Sequence, residues 1–399
     1  VISLADLEAA RRRVAPVVVP TPVRRSEALS RLAGRPILLK PEHLQRTGSF
    51  KIRGAYNRIA QLDPGVAVVA ASAGNHAQGV ALAATATGRR STIFMPAGAS
   101  LPKVDATVGY GAEVLLGGPD VDDCIVRARA HAVEHGAVYV PPFDDPEVIA
   151  GQGTVGLELL LEAPEAEVVL VPAGGGGLLA GTASALRLAG RAGVRVVGVE
   201  AAGAPTIAAA LAAGHPVCLE ALSTMADGIA LRSTSGLVLD HVRAYVDEMV
   251  SVDEEEISRA VLLLVERAKS VVEPSGAVAL AAVLAGKVPG RGPALAVLSG
   301  GNVDPLLLTR LVGHGLAAAG RYLTLRVVTA DSPGALAALT AVLASLGLNV
   351  LDVEHHRWSR SLDLAQVEIL FTVETRDEAQ HHEVLEALAG AGYACEPVP

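Results

Sequence analysis

The sequence predicts an α/β protein of two lobes followed by a small ferredoxin-like domain of order βαββαβ. Three observations carry that expectation. From Val66 to about Asn302, short Val-rich runs alternate with Gly-rich turns and Ala-rich helical segments, the pattern of parallel strands covered on both faces by helices. The chain is 51% hydrophobic but only 3% aromatic and holds 41 glycines, so its core must be built from Ala, Val and Leu. After about Gly313 the texture changes, and half-buried alternation replaces the continuous apolar runs. A length of 399 residues allows two or three compact units. The boundaries read as a first domain over 1–315, with its smaller lobe at about 54–150, and a second over 321–399.

The elements follow in order. TGSFKIRGA, Thr47 to Ala55, leads into a helix running on through Tyr56. VAVVAAS reads as a strand before the helix GNHAQGVALAATATG, and STIFMP as a strand before the helix LPKVDATVGYG. A second series starts with the strand EVVLVP, Glu167 to Pro172, then GGGG and the helix LLAGTASALRLAG. The uncharged run Val168 to Leu186 has the length of a membrane span, but Pro172 and four glycines divide it into strand, loop and helix. RVVGVEA and ALAVLSGGN are further strands, the latter ending in a Gly turn. In the tail, Leu336, Leu339, Leu343 and Leu346 share one helical face, with Ser332 placed as N-cap and Pro333 in the first turn. Val367, Ile369, Phe371 and Val373 alternate as a strand, and Thr375 with Glu378 has capping-box spacing before the last helix.

Charge and composition limit the partners. A net charge of −9 and a pI near 5.7 argue against a nucleic-acid binder. Small metabolites remain, and no membrane partner is expected. Three dispersed cysteines, Cys124, Cys218 and Cys395, suggest neither a disulfide framework nor a zinc site. VISLADLEAARRRV has acids and a basic cluster where an export signal would be apolar, which points to a cytoplasmic protein.

Three loops and one lysine carry the chemistry. Lys51 lies between Phe50 and Ile52; it is either a snorkelling lysine or a partly buried amine tuned to attack a carbonyl. Gly174 to Gly177 follow a strand and open a helix, so their amides can hold a phosphate. The same loop fits G-x-G-x-x-A through Gly175, Gly177 and Ala180, with Glu200 ending the next strand as a ribose partner would. That dinucleotide reading leaves Lys51 unexplained. SAGNHAQG, Ser72 to Gly79, offers hydroxyl, amide and helix-start groups to a carboxylate, with His76 either a proton carrier or a plain helix-start residue. SGGN places Ser299 at a strand end. Lysine, phosphate cradle, carboxylate loop and serine together match pyridoxal 5'-phosphate, which has an aldehyde, a phosphate and a ring nitrogen.

These motifs are similar to those of the threonine dehydratase (threonine ammonia-lyase) branch of the fold-type II pyridoxal phosphate enzymes. TGSFKIRGA, SAGNHAQG, LPKVDATVGYGAEV, GGGGLLAG, ADGIA, EPSGA and SGGN occur in that order over about Pro20 to Val312. The resemblance implies a tryptophan synthase β-like catalytic domain in which Lys51 carries the cofactor imine and acts as catalytic base. It implies that Gly174, Gly175, Gly176, Gly177 and Leu178 hold the phosphate, Asn75 the ring hydroxyl and Ser299 the ring nitrogen. Phe50 and Glu273 complete the cofactor site, and Ser72, Ala73, Gly74, Asn75 and His76 take the substrate carboxylate. The tail resembles an ACT domain, with DSPGAL and LGLNVLDVEH as its ligand region; Asp331, Ser332, Pro333, Gly334 and Asn349 are the implied regulatory residues. Long biosynthetic threonine dehydratases carry a doubled regulatory region, whereas one unit fits here.

The implied reaction is deamination of L-threonine to 2-oxobutanoate, with L-serine to pyruvate as a side activity, an amino-acid effector, no metal, and a homotetramer or homodimer. The neutral Ser299 hydroxyl favours elimination over lingering carbanion chemistry. Rivals are a serine or other amino-acid racemase, a hydroxyaspartate ammonia-lyase, a nicotinamide-dependent dehydrogenase and a catalytically silent sensor. Serine racemases have a second serine where this chain has Ala73, which favours the lyase.

Overall fold

The computed structural model describes residues 1–191, 193–357 and 362–398. The described chain divides into two compact units, Val1–Leu308 and Thr309–Pro399.

The first unit contains two sheets. The smaller runs Glu113–Leu116, Ser91–Met95, Val68–Ala71, Val138–Tyr139, all parallel. The larger runs Arg24–Arg25, Ile37–Lys40, Ala294–Val297, Val168–Pro172, Arg195–Ala201, Glu248–Val252, parallel except for its first strand. The expected two α/β lobes are therefore present. The expectation did not include Ile37–Lys40, whose four buried residues place an N-terminal segment inside the larger sheet.

The shortage of aromatic residues is met by bringing helix backbones together. Gly153, Gly156 and Gly181 lie where the helices Pro146–Glu162 and Gly177–Leu188 cross. A Cβ on Gly181 would stand 2.4 Å from Ile149 O, and one on Gly156 2.7 Å from Thr182 O. The helix Lys51–Ile59 uses the same device, since a Cβ on Gly151 would lie 2.6 Å from Gly54 Cα. Close approach of whole backbones replaces the contact area that large side chains supply elsewhere. The membrane-length run resolves into the strand Val168–Pro172 and the helix Gly177–Leu188. Among the described residues, no helix is long and apolar enough to cross a membrane.

The second unit is an antiparallel sheet in the order Asn349–His356, Gln366–Glu374, Tyr322–Ala330, Ala394–Val398, with helices Ala335–Ser345 and Glu378–Gly390. This is the anticipated βαββαβ order. Val367, Ile369, Phe371 and Val373 are buried against Leu339 and Leu343, while Leu336 is exposed. Both expected helix starts move. Gly334, left-handed at φ +91°, is the N-cap of Ala335–Ser345, so Ser332 and Pro333 belong to the preceding turn. Asp377 caps Glu378–Gly390 by accepting from Gln380 N at 3.0 Å. Thr375 lies two residues before this cap, and its hydroxyl instead donates to Gly320 O at 2.7 Å.

Candidate active site

Lys51 is positioned by two loops that are remote in sequence and tied together in space. Phe50 N donates to Ser299 O at 3.1 Å, Gly301 N donates to Gly48 O at 2.9 Å, and Ser49 bridges Gly300. Gly48 is left-handed at φ +69°, and a Cβ there would meet Asn302 Oδ1 at 2.2 Å. Only glycine allows both the turn and this contact. Lys51 then begins its helix, against which the helix Asn75–Ala86 packs so closely that a Cβ on Gly79 would lie 3.1 Å from Lys51 C. Lys51 Nζ donates to Pro142 O at 3.0 Å and sits 5.2 Å from the Phe50 ring centroid. Burial lowers its pKa to about 8, against a smaller opposing pull from Glu273.

The helix is anchored behind Lys51 by a buried ionic cluster. Arg53 donates from Nε and Nη2 to Glu42 at 2.7 and 2.8 Å, and from Nη1 and Nη2 to Glu158 at 2.6 and 2.9 Å. Lys40 donates to Glu158 at 2.6 Å and Glu162 at 3.0 Å. Arg53, Lys40 and Glu42 have no exposure to solvent. Burial alone would raise the Glu42 carboxyl, but the adjacent Arg53 guanidinium holds it below the usual carboxylate range.

Ser72 to His76 form the turn into the helix Asn75–Ala86, and Ser72 Oγ accepts from Gly74 N at 3.1 Å. His76 Nε2 is 2.9 Å from Val140 O, while its buried Nδ1 has no partner. Burial first and the Lys51 charge second lower His76 to about 3, so its ring is neutral near neutral pH. Asn75 Nδ2 donates to Glu273 Oε1 at 2.5 Å, and Asn75 Oδ1 accepts from Asn302 Nδ2 at 2.7 Å. Burial and the nearby Asp227 raise Glu273 to about 7. Gly300 adjoins this pair, since a Cβ there would lie 2.2 Å from Glu273 Oε1.

The loop Gly174–Gly177 leads from Val168–Pro172 into the helix Gly177–Leu188, with Leu178 in its first turn. A Cβ on Gly174 would strike Ile229 Cα at 2.7 Å, and one on Gly175 the Phe143 ring at 2.2 Å. Gly176 is left-handed at φ +88°. The first amides of a helix lack intrahelical acceptors and favour an anion. Phe143 follows Pro142, so one short segment links the glycine cradle to the carbonyl holding Lys51. A free amine, a side-chain-free anion cradle, the Asn75 amide and the buried Ser299 hydroxyl fit the aldehyde, phosphate, ring hydroxyl and ring nitrogen of pyridoxal phosphate.

Sequence reasoning missed Pro142, Phe143 and Asn302 as contributors. PPF, Pro141 to Phe143, holds one of only four phenylalanines and is the one available signal. Glu200 is engaged otherwise than as a ribose partner. Its oxygens accept from Ile207 N at 2.6 Å and Ala208 N at 3.0 Å, and burial raises it to about 7.

In the second unit, Asp331, Ser332, Pro333 and Gly334 line a cavity of about 260 Å³ with His355 and Arg357. Arg357 pairs with Asp331 at 3.1 Å. Asn349 is not brought there: it pairs with Glu374, whereas Ala330 pairs with Gln366 at the other end of the same sheet.

The family of pyridoxal-phosphate dependent enzymes matches residues 14–300, and the ACT domain matches 323–392. An L-threonine ammonia-lyase of Thermotoga maritima is 45% identical over 396 residues, 98% of each chain. The structure of the processed form of threonine deaminase isoform 2 from Solanum lycopersicum is 35% identical, with a TM-score of 0.74, covering 78% of this chain and 92% of that one. A maize serine racemase structure is equally similar at 35% and 0.74, covering 79% and 98%. With the lysine, the glycine cradle and the tail all in place, the chain belongs to the pyridoxal-phosphate dependent enzymes and carries a C-terminal ACT domain.

Proposed function

We propose that this enzyme deaminates L-threonine to 2-oxobutanoate and ammonia, turns over L-serine to pyruvate more slowly, and is regulated by an amino acid through its ACT domain. One arrangement carries the reading: Lys51 Nζ rests on Pro142 O, beside the Phe143 ring that backs the glycine cradle. The near full-length likeness to an L-threonine ammonia-lyase supports the choice of substrate. The reading assigns 1–315 to catalysis, with a smaller lobe at about 54–150, and 321–399 to regulation, in a cytoplasmic homotetramer or homodimer.

Pyridoxal phosphate supplies an aldehyde for the substrate amine and an electron-withdrawing ring that acidifies the Cα proton. Gly174 to Gly177 and Leu178 hold its phosphate, Asn75 its hydroxyl and Ser299 its ring nitrogen, with Phe50 against the ring. Glu273 and Asn302 fix the Asn75 amide from its two ends. Ser72 to His76 bind the substrate carboxylate, the neutral His76 adding no charge. Lys51 Nζ, an amine whose charged form burial disfavours, removes the Cα proton. Pro142 O is within reach to hold the resulting ammonium. Asp331, Ser332, Pro333 and Gly334 form the effector site, and Asn349, at the far end of the sheet, is not part of it.

The test is a keto-acid assay on the holoenzyme with L-threonine, L-serine and 3-hydroxyaspartate. Threonine is expected to give the highest kcat/KM. Absence of keto acid from threonine overturns the reading. The likeness to maize serine racemase is the reason to measure D-serine in the same reactions; Ala73 provides no acid on the face of Cα opposite Lys51, so none is expected to accumulate.

A further inference from the structure

Lys103 belongs to the helix Leu101–Gly109 of the smaller lobe, within LPKVDATVGYGAEV, and no role is assigned to it above. It reaches across the cleft mouth, where Nζ donates to Asp227 Oδ2 of the larger lobe at 2.5 Å. A Cβ built on Gly74 would lie 4.0 Å from that ammonium. The Lys103 side chain is 16% exposed and that of Asp227 54%, so the cation is sheltered over the Ser72–His76 loop while its partner faces water. Asp227 itself is on a fixed mount. Gly228 N donates to Ser275 Oγ at 2.8 Å, and Ile229 backs Gly174 in the glycine cradle.

The charge pattern around this ammonium gives it a task. The carboxylate loop supplies amides, a hydroxyl and a neutral imidazole, while Asp227 and Glu273 stand nearby as acids. An incoming carboxylate would meet net repulsion from those acids without a cation at the mouth. Lys103 also acts on Glu273 from this position, favouring its ionised form. We propose that Lys103 is a positioning residue for the substrate carboxylate, a cation presented by Asp227 above Gly74 that draws the amino acid onto the Ser72–His76 loop. This rests on the amino-acid lyase reading of the same site.

The test compares wild-type, Lys103→Met and Lys103→Arg holoenzymes on L-threonine and L-threonine amide, over a range of salt. Lys103→Met is expected to lose about tenfold in kcat/KM for threonine through KM, with kcat and the visible absorbance of the bound cofactor unchanged. It should lose nothing on the amide, and its kcat/KM should no longer fall with salt. Lys103→Arg should recover most of the loss. An unchanged KM in Lys103→Met, or an equal loss on acid and amide, overturns the proposal. Should the wild type form no keto acid, the lyase reading fails by itself. Dissociation constants for the acid and amide, taken from their effect on the visible absorbance, then decide the role of Lys103 by the same comparison.

Discussion

Lys51 is the residue whose function opposes its own solvation. An amine brought down to about 8 by burial is a destabilising feature of the cofactor-free fold. The unfolded chain keeps this proton up to about 10.4, whereas the folded one releases it near 8. Between those values the unfolded state binds more protons, so stability rises with pH, and below 8 the whole penalty is present. Lys51→Met is therefore expected to abolish turnover and the visible absorbance, yet to raise the Tm of the cofactor-free protein at pH 7, with the gain shrinking toward pH 10. An unaltered rate of threonine deamination in this variant would falsify the assignment. Lys51, Gly174 to Gly177 and Ser299 are legible in the sequence because a lysine between apolar neighbours, four successive glycines after a strand and a serine at a strand end each interrupt the apolar pattern. Pro142, Phe143 and Asn302 are not, because a backbone carbonyl, a ring and an amide acquire their meaning only when distant segments meet.

The helix Lys51–Ile59 is the element that converts packing into placement. Its Gly54 allows close contact with the helix Pro146–Glu162, and Arg53 binds it to Glu42 and Glu158. Arg53→Met would leave Glu42 buried without its forked partner and is expected to cost about 3–5 kcal/mol, read by urea unfolding. Arg53→Lys should recover only part of this, since an ammonium cannot serve two carboxylates with a planar fork. Loss of less than 1 kcal/mol, within the range of an exposed pair, would show that the cluster is not holding the helix. In the wild type, Glu42 has a depressed folded pKa, so its contribution is present above the ordinary carboxylate value and fades as pH falls through the folded one. Val68–Ala71, Ser91–Met95, Val168–Pro172, Arg195–Ala201 and Ala294–Val297 are legible from their apolar runs, whereas the strands Glu113–Leu116, Val138–Tyr139 and Glu248–Val252 are not. Helix starts are less legible, because Thr375 and Ser332 are cap-type residues at suitable spacing, whereas the chain enters its helices only at Asp377 and Gly334. The central place of Ile37–Lys40 is also hidden, since three apolar residues and a lysine fix neither neighbour nor direction.

At the scale of the whole molecule, a pyridoxal-phosphate dependent enzyme unit and an ACT domain are joined in one chain. An effector can change turnover only by favouring one arrangement of the assembly over another. Isoleucine or valine is expected to alter the initial rate of the full chain, and truncation after Gly320 to remove that response while leaving deamination intact. Rates and solution mass, measured for both proteins with isoleucine, valine, threonine and serine, check this. An intact enzyme indifferent to all four outside its active site would sink the regulatory claim, and a truncation that changes mass alone would make the tail an assembly module. The strand pairing of Ile37–Lys40 with Ala294–Val297 bears on biosynthesis. The smaller sheet is complete once Tyr139 has been made, but the larger one must wait for Val297. At ribosomal speeds of roughly 5–20 residues per second, the ILLK segment, three of its four residues apolar, stays without its parallel partner for on the order of ten seconds or more. A nascent chain of this enzyme thus carries a half-finished sheet edge through most of its translation, the interval in which a holdase would find it and a stalled ribosome would release an aggregation-prone fragment.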